Sequence, residues 1–179
     1  MNKTITVFGS SLPKENEREY QIALKLGSKL AQKGFNVCSG GYQGIMDAVS
    51  KGASQNGAEA IGITVDLWGS TPSKYLTKQI ECNYLSQRIS KLVELGDAYV
   101  VLQGGTGTLL ELAVVWELIN KSLSKKKPIA CHSKMWKSIV KIMDEQISKE
   151  GRKSGLIKCF NSVDEIIDYL FIELNNRHN

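Results

Sequence analysis

The residues best suited to chemistry are Gly104, Gly105, Thr106, Gly107, Thr108 and Glu111, which follow the apolar run Ala98-Tyr99-Val100-Val101-Leu102. Glycines let a backbone turn tightly and approach a ligand without interference from a Cβ. If the run is a strand and a helix follows, free amides at the helix start face the ligand, and the helix dipole favours an anion. Thr106 and Thr108 add hydroxyl donors, and phosphate fits all of these features. The same residues also suit a tight strand-to-helix turn with a threonine cap, and glycines alone do not decide between the two. Glu111 lies one helical turn beyond Thr108, so both can face one side. A glutamate there is also favoured simply by the helix N-terminus. The apolar spacing of Leu109, Leu110, Leu112, Val114 and Val115 predicts buried neighbours for Glu111. Glu117 reads as a surface or subunit-face residue.

Two lesser glycine clusters stand upstream. Ser39-Gly40-Gly41-Tyr42-Gln43-Gly44-Ile45-Met46 also sits between a predicted strand and a predicted helix. It lacks the G-x-G-x-x-G order of the dinucleotide fingerprint, so NAD binding is not implied. Gly9-Ser10-Ser11 follows the first predicted strand. Each cluster could be a simple turn, but together they suggest a cleft lined by backbone. Arg88 and Lys91 lie one turn apart on a predicted helix and can share a face. Such a pair could hold a phosphate or pair with a carboxylate; a solvated face is the alternative.

The elements that must position these residues alternate along the chain. Hydrophobic periodicity predicts strands over 5–9, 35–39, 58–64, 98–102, 128–132 and 156–160. It predicts helices over 14–33, from 45 to about 53, and over 84–95, 108–121, 136–149 and 163–174. Residues 66–83, with Trp68, Gly69 and Pro72, read as an excursion over the site that carries a short strand near 78–82 and contributes to a base pocket. The fully apolar 98–102 run suggests the sheet centre. The result is an α/β fold of one domain over 1–179, with a mostly parallel sheet and helices on both faces. Ligands in such sheets bind beyond the carboxyl ends of strands, where strand order reverses. The exits after 9, 39, 64 and 102 are therefore the places to look.

Composition bounds the function classes. The chain has 179 residues, 42% hydrophobic and 23% charged, with 3 prolines, which is ordinary for a globular protein. No apolar run approaches a membrane span. The apolar part of residues 1–9 is too short for a signal peptide and reads as a strand, so a cytoplasmic location is expected. Cys38, Cys82, Cys131 and Cys159 are scattered and only 2 histidines exist, so no metal site is expected and the thiols read as buried and reduced. The net charge of +5 suits an anionic ligand. Nucleic-acid binding is not expected, because no aromatic-basic pattern accompanies the charge. The basic run from Lys121 to Lys127 reads as the end of a helix, where cations complement the dipole.

Taken together, these motifs resemble the LONELY GUY (LOG) family, once named as lysine decarboxylases. Its signature P-G-G-x-G-T-x-x-E stands here as Gln103-Gly104-Gly105-Thr106-Gly107-Thr108-Leu109-Leu110-Glu111, complete except for the leading proline. Its G-G-x-x-G-[IL]-M pattern appears as Gly40-Gly41-Tyr42-Gln43-Gly44-Ile45-Met46, its opening G-S-S as Gly9-Ser10-Ser11, and its arginine-bearing helix at Arg88. The family segment M-H-E-R-K reads Leu85-Ser86-Gln87-Arg88-Ile89, and the proline often found near Thr64-Val65 is absent. The likeness spans roughly residues 3–175.

The resemblance implies a Rossmann-like, doubly wound domain, usually a homodimer, with no cofactor. It implies hydrolysis of the N-glycosidic bond of a nucleoside 5′-monophosphate, including cytokinin or purine nucleotides, to free base and ribose 5-phosphate. It gives catalytic roles to Arg88 and Glu111 and places the phosphate on Gly105, Thr106, Gly107 and Thr108, with Gly104, Gly40, Gly41, Gly9, Ser10 and Lys91 as further nucleotide-binding candidates. Trp116 and Leu118 become candidates for a subunit contact. Breaking the bond develops positive charge on the ribose, which a carboxylate can stabilise while it activates water. An arginine can orient that carboxylate or polarise the leaving base. Lysine decarboxylation needs an electron sink such as pyridoxal phosphate, and no motif supplies one. The alternative is a non-catalytic nucleotide or molybdenum-cofactor carrier, since carriers of that kind share this frame and its glycine-rich loop. A DNA-processing protein on the same frame is a third reading, resting on charge and fold analogy.

Overall fold

The computed structural model describes residues 2–65 and 69–176. Among the described residues there are seven strands: β1 (Thr4–Phe8), β2 (Asn36–Ser39), β3 (Ala60–Val65), β4 (Lys78–Cys82), β5 (Ala98–Val101), β6 (Ile129–His132) and β7 (Ile157–Phe160). Six helices connect them: α1 (Arg18–Gln32), α2 (Ile45–Ser54), α3 (Leu85–Leu95), α4 (Thr106–Asn120), α5 (Lys134–Lys149) and α6 (Val163–Asn175). They form one sheet in the order β4-β3-β2-β1-β5-β6-β7. Every pairing is parallel. The fold is α/β and Rossmann-like, as expected.

Alternation along the strands divides the core. Ile5, Val7, Val37, Ala98 and Val100 face one side, where α1, α2 and α6 pack. Phe8, Cys38, Tyr99 and Val101 face the other, under α3, α4 and α5. The strand at the centre is β1, not β5, which lies beside it. Both are buried on both faces, and a continuous apolar run cannot distinguish central neighbours. Strand order runs outward from β1 one way and from β5 the other, so the reversal falls between their carboxyl ends. That is the crevice where such sheets bind ligands.

The predicted helix over 14–33 begins four residues late. Glu17 is extended and caps α1, and its carboxylate accepts from the Lys14 amide at 2.9 Å, which closes a turn before the helix. Residues 66–68, part of the expected excursion, lie outside the described residues. Cys38, Cys82 and Cys131 are buried and Cys159 half-buried, all as free thiols and all within strands. Among the described residues no helix is long and apolar enough to cross a membrane. None of the described His, Cys, Asp or Glu side chains gather in a group of three or more that could hold a metal ion.

Candidate active site

Three glycine-bearing exits meet at the crevice, and the peptide groups of Ser10 join them. The Ser10 amide donates to the Gln103 carbonyl at 3.0 Å, and its carbonyl accepts from the Ile45 amide at 2.9 Å. The exit of β1 is thereby tied to the loop after β5 and to the start of α2. Gly44 makes the second tie possible. Its φ is +68°, and a Cβ there would lie 2.4 Å from the Ser11 carbonyl carbon, so a side chain is excluded by both conformation and space.

A cavity of about 410 Å³ opens over this junction. Gly105, Thr106, Gly107 and Thr108 form one wall, and Gly9 and Ser10 another. Gly105 is the N-cap of α4 and brings no side chain to its first amides. Those amides have no partner within a helix and carry the positive end of the dipole. A phosphate-sized anion suits that wall.

Arg88 and Glu111 complete the cavity. Arg88 Nη1 donates to Glu111 Oε1 at 3.4 Å, which ties α3 to α4. The two side chains are 7% and 12% exposed. Arg88 Nε donates to the Ile63 carbonyl at 2.8 Å, which fixes the guanidinium against the end of β3. Its Nη2 lies 4.0 Å from Met46 Sδ, and the guanidinium carbon sits 5.9 Å from the Tyr42 ring centroid. The Tyr42 hydroxyl accepts from the Val65 amide at 2.8 Å and donates to the Val65 carbonyl. Burial pushes the Glu111 carboxyl up to about 7, against the opposing pull of Arg88. A carboxyl at that value sits between its acid and base forms near neutral pH.

Not every expected residue lines the cavity. Gly104, Gly40 and Gly41 stand behind it and make room. A Cβ on Gly40 would meet Arg88, one on Gly41 would meet Gly62 and Thr64, and one on Gly104 would meet Thr108. Lys91 does not share the buried face of Arg88: its ammonium is held 2.7 Å from Glu94 on the exposed side of α3. Arg88 points into the sheet, and three residues at 100° each carry Lys91 out of that line. Leu109 and Leu110 are 42% exposed, so Glu111 is buried by the crevice and not by its helix neighbours. Trp116 is buried in the core under α4, and Leu118 is half-buried. Glu117 is exposed and pairs with Lys121 and Arg152. Gln103 lines a separate hollow beside Arg18 and His132. Its departure from the family proline therefore falls outside the cavity.

Leu12, Tyr42, Met46 and Ser70 also line the cavity and escaped the motif reading. Tyr42 and Met46 lay inside a quoted motif, and their position beside its glycines was the available signal. Ser70 falls in the 66–83 excursion expected over the site, whereas Leu12 gave no signal.

Residues 2–167 match the SLOG cluster4 family. A cytokinin riboside 5′-monophosphate phosphoribohydrolase of Rhodococcoides fascians is 28% identical over 113 residues, 61% of this chain and 57% of that protein. A pyrimidine/purine nucleotide 5′-monophosphate nucleosidase of Escherichia coli is 26% identical over 119 residues, 62% of this chain and 26% of the other. The chain thus spans little more than half of the first relative and about a quarter of the second. The molybdenum cofactor carrier protein of Chlamydomonas reinhardtii superposes with a TM-score of 0.77 at 22% identity, over 98% of this chain and 99% of that one. That likeness bears on the fold.

Proposed function

The chain belongs to the SLOG cluster4 family, and from that premise we propose that it hydrolyses the N-glycosidic bond of nucleoside 5′-monophosphates to free base and ribose 5-phosphate. The observation that carries this reading is the buried Arg88–Glu111 pair on the wall of the cavity that also holds the α4 amides. One end of the cavity suits a phosphate and the other offers a carboxyl poised near neutrality. That is the charge pattern of a ribose 5-phosphate moiety whose C1′ becomes cationic.

In this mechanism the amides of Thr106, Gly107 and Thr108 and the threonine hydroxyls grip the 5′-phosphate and fix the ribose. Ionised Glu111 faces the sugar, stabilises the positive charge that develops as the C1′–N bond lengthens, and accepts a proton from the attacking water. Water adds to C1′, and the base leaves with the bond pair and takes up a proton. Arg88 holds Glu111 in place through the bond between them while the Ile63 carbonyl holds Arg88. The chemistry uses no cofactor. The substrates of these relatives support nucleotides as the class, with either purine or pyrimidine bases.

A nucleotide or molybdenum-cofactor carrier is the second reading, favoured by the end-to-end superposition on a carrier protein. A carrier needs the anion-binding wall but gives a poised carboxyl no task. Incubation with a panel of nucleoside monophosphates, following free base and ribose 5-phosphate, separates the two. Turnover lost in Glu111→Ala with nucleotide binding retained supports hydrolysis. Tight binding without turnover across the panel overturns it in favour of the carrier.

A further inference from the structure

Cys131 and Cys159 are directly paired in register on the adjacent parallel strands β6 and β7. Neighbouring strands lie about 4.8 Å apart, within the Cα separation that disulfides span. Both side chains project to the face covered by α5, where the two thiols stand side by side and influence each other's ionisation. Their environments differ. Cys131 is fully buried, whereas Cys159 is half-buried and lines a hollow of about 730 Å³ between α5 and the edge strand β7. Lys137, Lys141, Asp144 and Glu145 of α5 and Lys158 of β7 line the same hollow.

We infer that Cys159 is a peroxide-sensitive modification site and that Cys131 is its resolving thiol. The adjacent Cys131 thiol holds the Cys159 thiol below its usual range, assisted by Lys137 and opposed by burial and Asp144. The Cys131 thiol is held well above its own range by its neighbour Cys159 and by burial. The more acidic, more accessible sulfur therefore reacts first. The Cys159 thiolate attacks one oxygen of a hydroperoxide, the O–O bond breaks, and a sulfenic acid forms as water or an alcohol departs. The Cys131 sulfur then attacks the sulfenic sulfur, the S–O bond breaks, and the hydroxide leaves as water with the thiol proton. Two thiols lose two electrons and one peroxide gains them. As the outermost strand, β7 has a partner on one side only, which leaves it room to draw toward β6. Neither strand lines the 410 Å³ cavity, so the site stands apart from the proposed hydrolysis.

The test treats the whole protein with stoichiometric hydrogen peroxide and follows each thiol by peptide mass spectrometry. The expected product is a Cys131–Cys159 cross-linked peptide, formed about tenfold faster than Cys38 or Cys82 is modified. Cys159→Ser abolishes the cross-link and leaves nucleotide turnover unchanged. Cys131→Ala accumulates a dimedone-trappable sulfenic acid on Cys159. Should that buried substitution prevent folding, binding of phenylarsine oxide to the wild-type pair, lost in Cys159→Ser, provides the second measurement. Reaction of Cys159 no faster than Cys82 overturns the inference. So does a sulfinic acid on Cys159 with Cys131 still reduced, or absence of arsenical binding.

Discussion

Gly40 is bare because Arg88 occupies the space its side chain would fill: a Cβ there would lie 1.8 Å from Nη2. A motif glycine in the second cluster thus serves the arginine and not a ligand. Gly40→Ala should leave the protein folded, since the flexible end of Arg88 can move aside. Turnover should fall by about 100-fold, as expected when a catalytic group is displaced by an ångström or so. Displacing Arg88 also removes the charge that opposes the upward shift of Glu111. The ascending limb of the pH–rate profile should therefore move to higher pH, which a merely structural lesion would not produce. Circular dichroism and kcat/KM against pH check both.

Glu111 predicts the profile itself. If its ionised form is the working one, kcat/KM should rise with pH through about 7. Glu111→Gln should lower kcat by about 10²- to 10⁴-fold and abolish that limb. Stability should carry the opposite sign. A carboxyl whose folded pKa is raised contributes stability that is complete below the unfolded value near 4.5 and is lost as pH rises through about 7. Thermal unfolding should show the wild type losing more stability than Glu111→Gln between pH 5 and pH 8, by on the order of 3 kcal/mol.

Arg88→Lys keeps the charge but not the fork. One ammonium cannot reproduce the geometry by which Nε meets the Ile63 carbonyl and Nη1 meets Glu111. Turnover should stay within about tenfold of that of Arg88→Ala, measured under identical substrate saturation.

If the wall at α4 grips the 5′-phosphate as proposed, that group is the handle. Thr106→Ala should raise KM for a nucleoside monophosphate by about 10- to 100-fold, the value of a hydrogen bond to a charged group. The corresponding nucleoside should be turned over far more slowly, and inorganic phosphate should inhibit competitively. Equal rates with and without the phosphate would remove the loop from substrate binding.

Exposed apolar side chains stand at the starts of the two helices that Arg88 and Glu111 join. Tyr84 and Leu85 begin α3, and Leu109 and Leu110 lie in the first turns of α4. A homodimer that covers them is the expected assembly. Sedimentation should give twice the chain mass, and Leu110→Glu should return the monomer.

Much of the fold was legible because strand and helix periods differ and alternate cleanly from Ile5 to Leu174. The short β4 was legible too, although it lies in an irregular stretch. What spacing could not supply was direction into a third dimension. It placed Arg88 and Lys91 one turn apart, but not that Arg88 turns inward to Ile63 while Lys91 turns out to Glu94. It identified the glycines at 40, 41 and 104, but not which neighbour each one admits. It read Leu109 and Leu110 as buried because they are apolar, whereas both stand exposed on the first turns of α4.

Two backbone hydrogen bonds tie Ser10 to Gln103 and to Ile45. The end of the cavity at the start of α4 is aligned by main chain, so its geometry does not depend on which side chains its loops carry. Leu12, Tyr42 and Ser70 on the remaining wall bear none of that alignment through the Ser10 ties. Under the proposed hydrolysis, substitutions there would change which leaving group is admitted while the clamp stays in register, so one backbone frame would serve many nucleotides by exchanging only its reader.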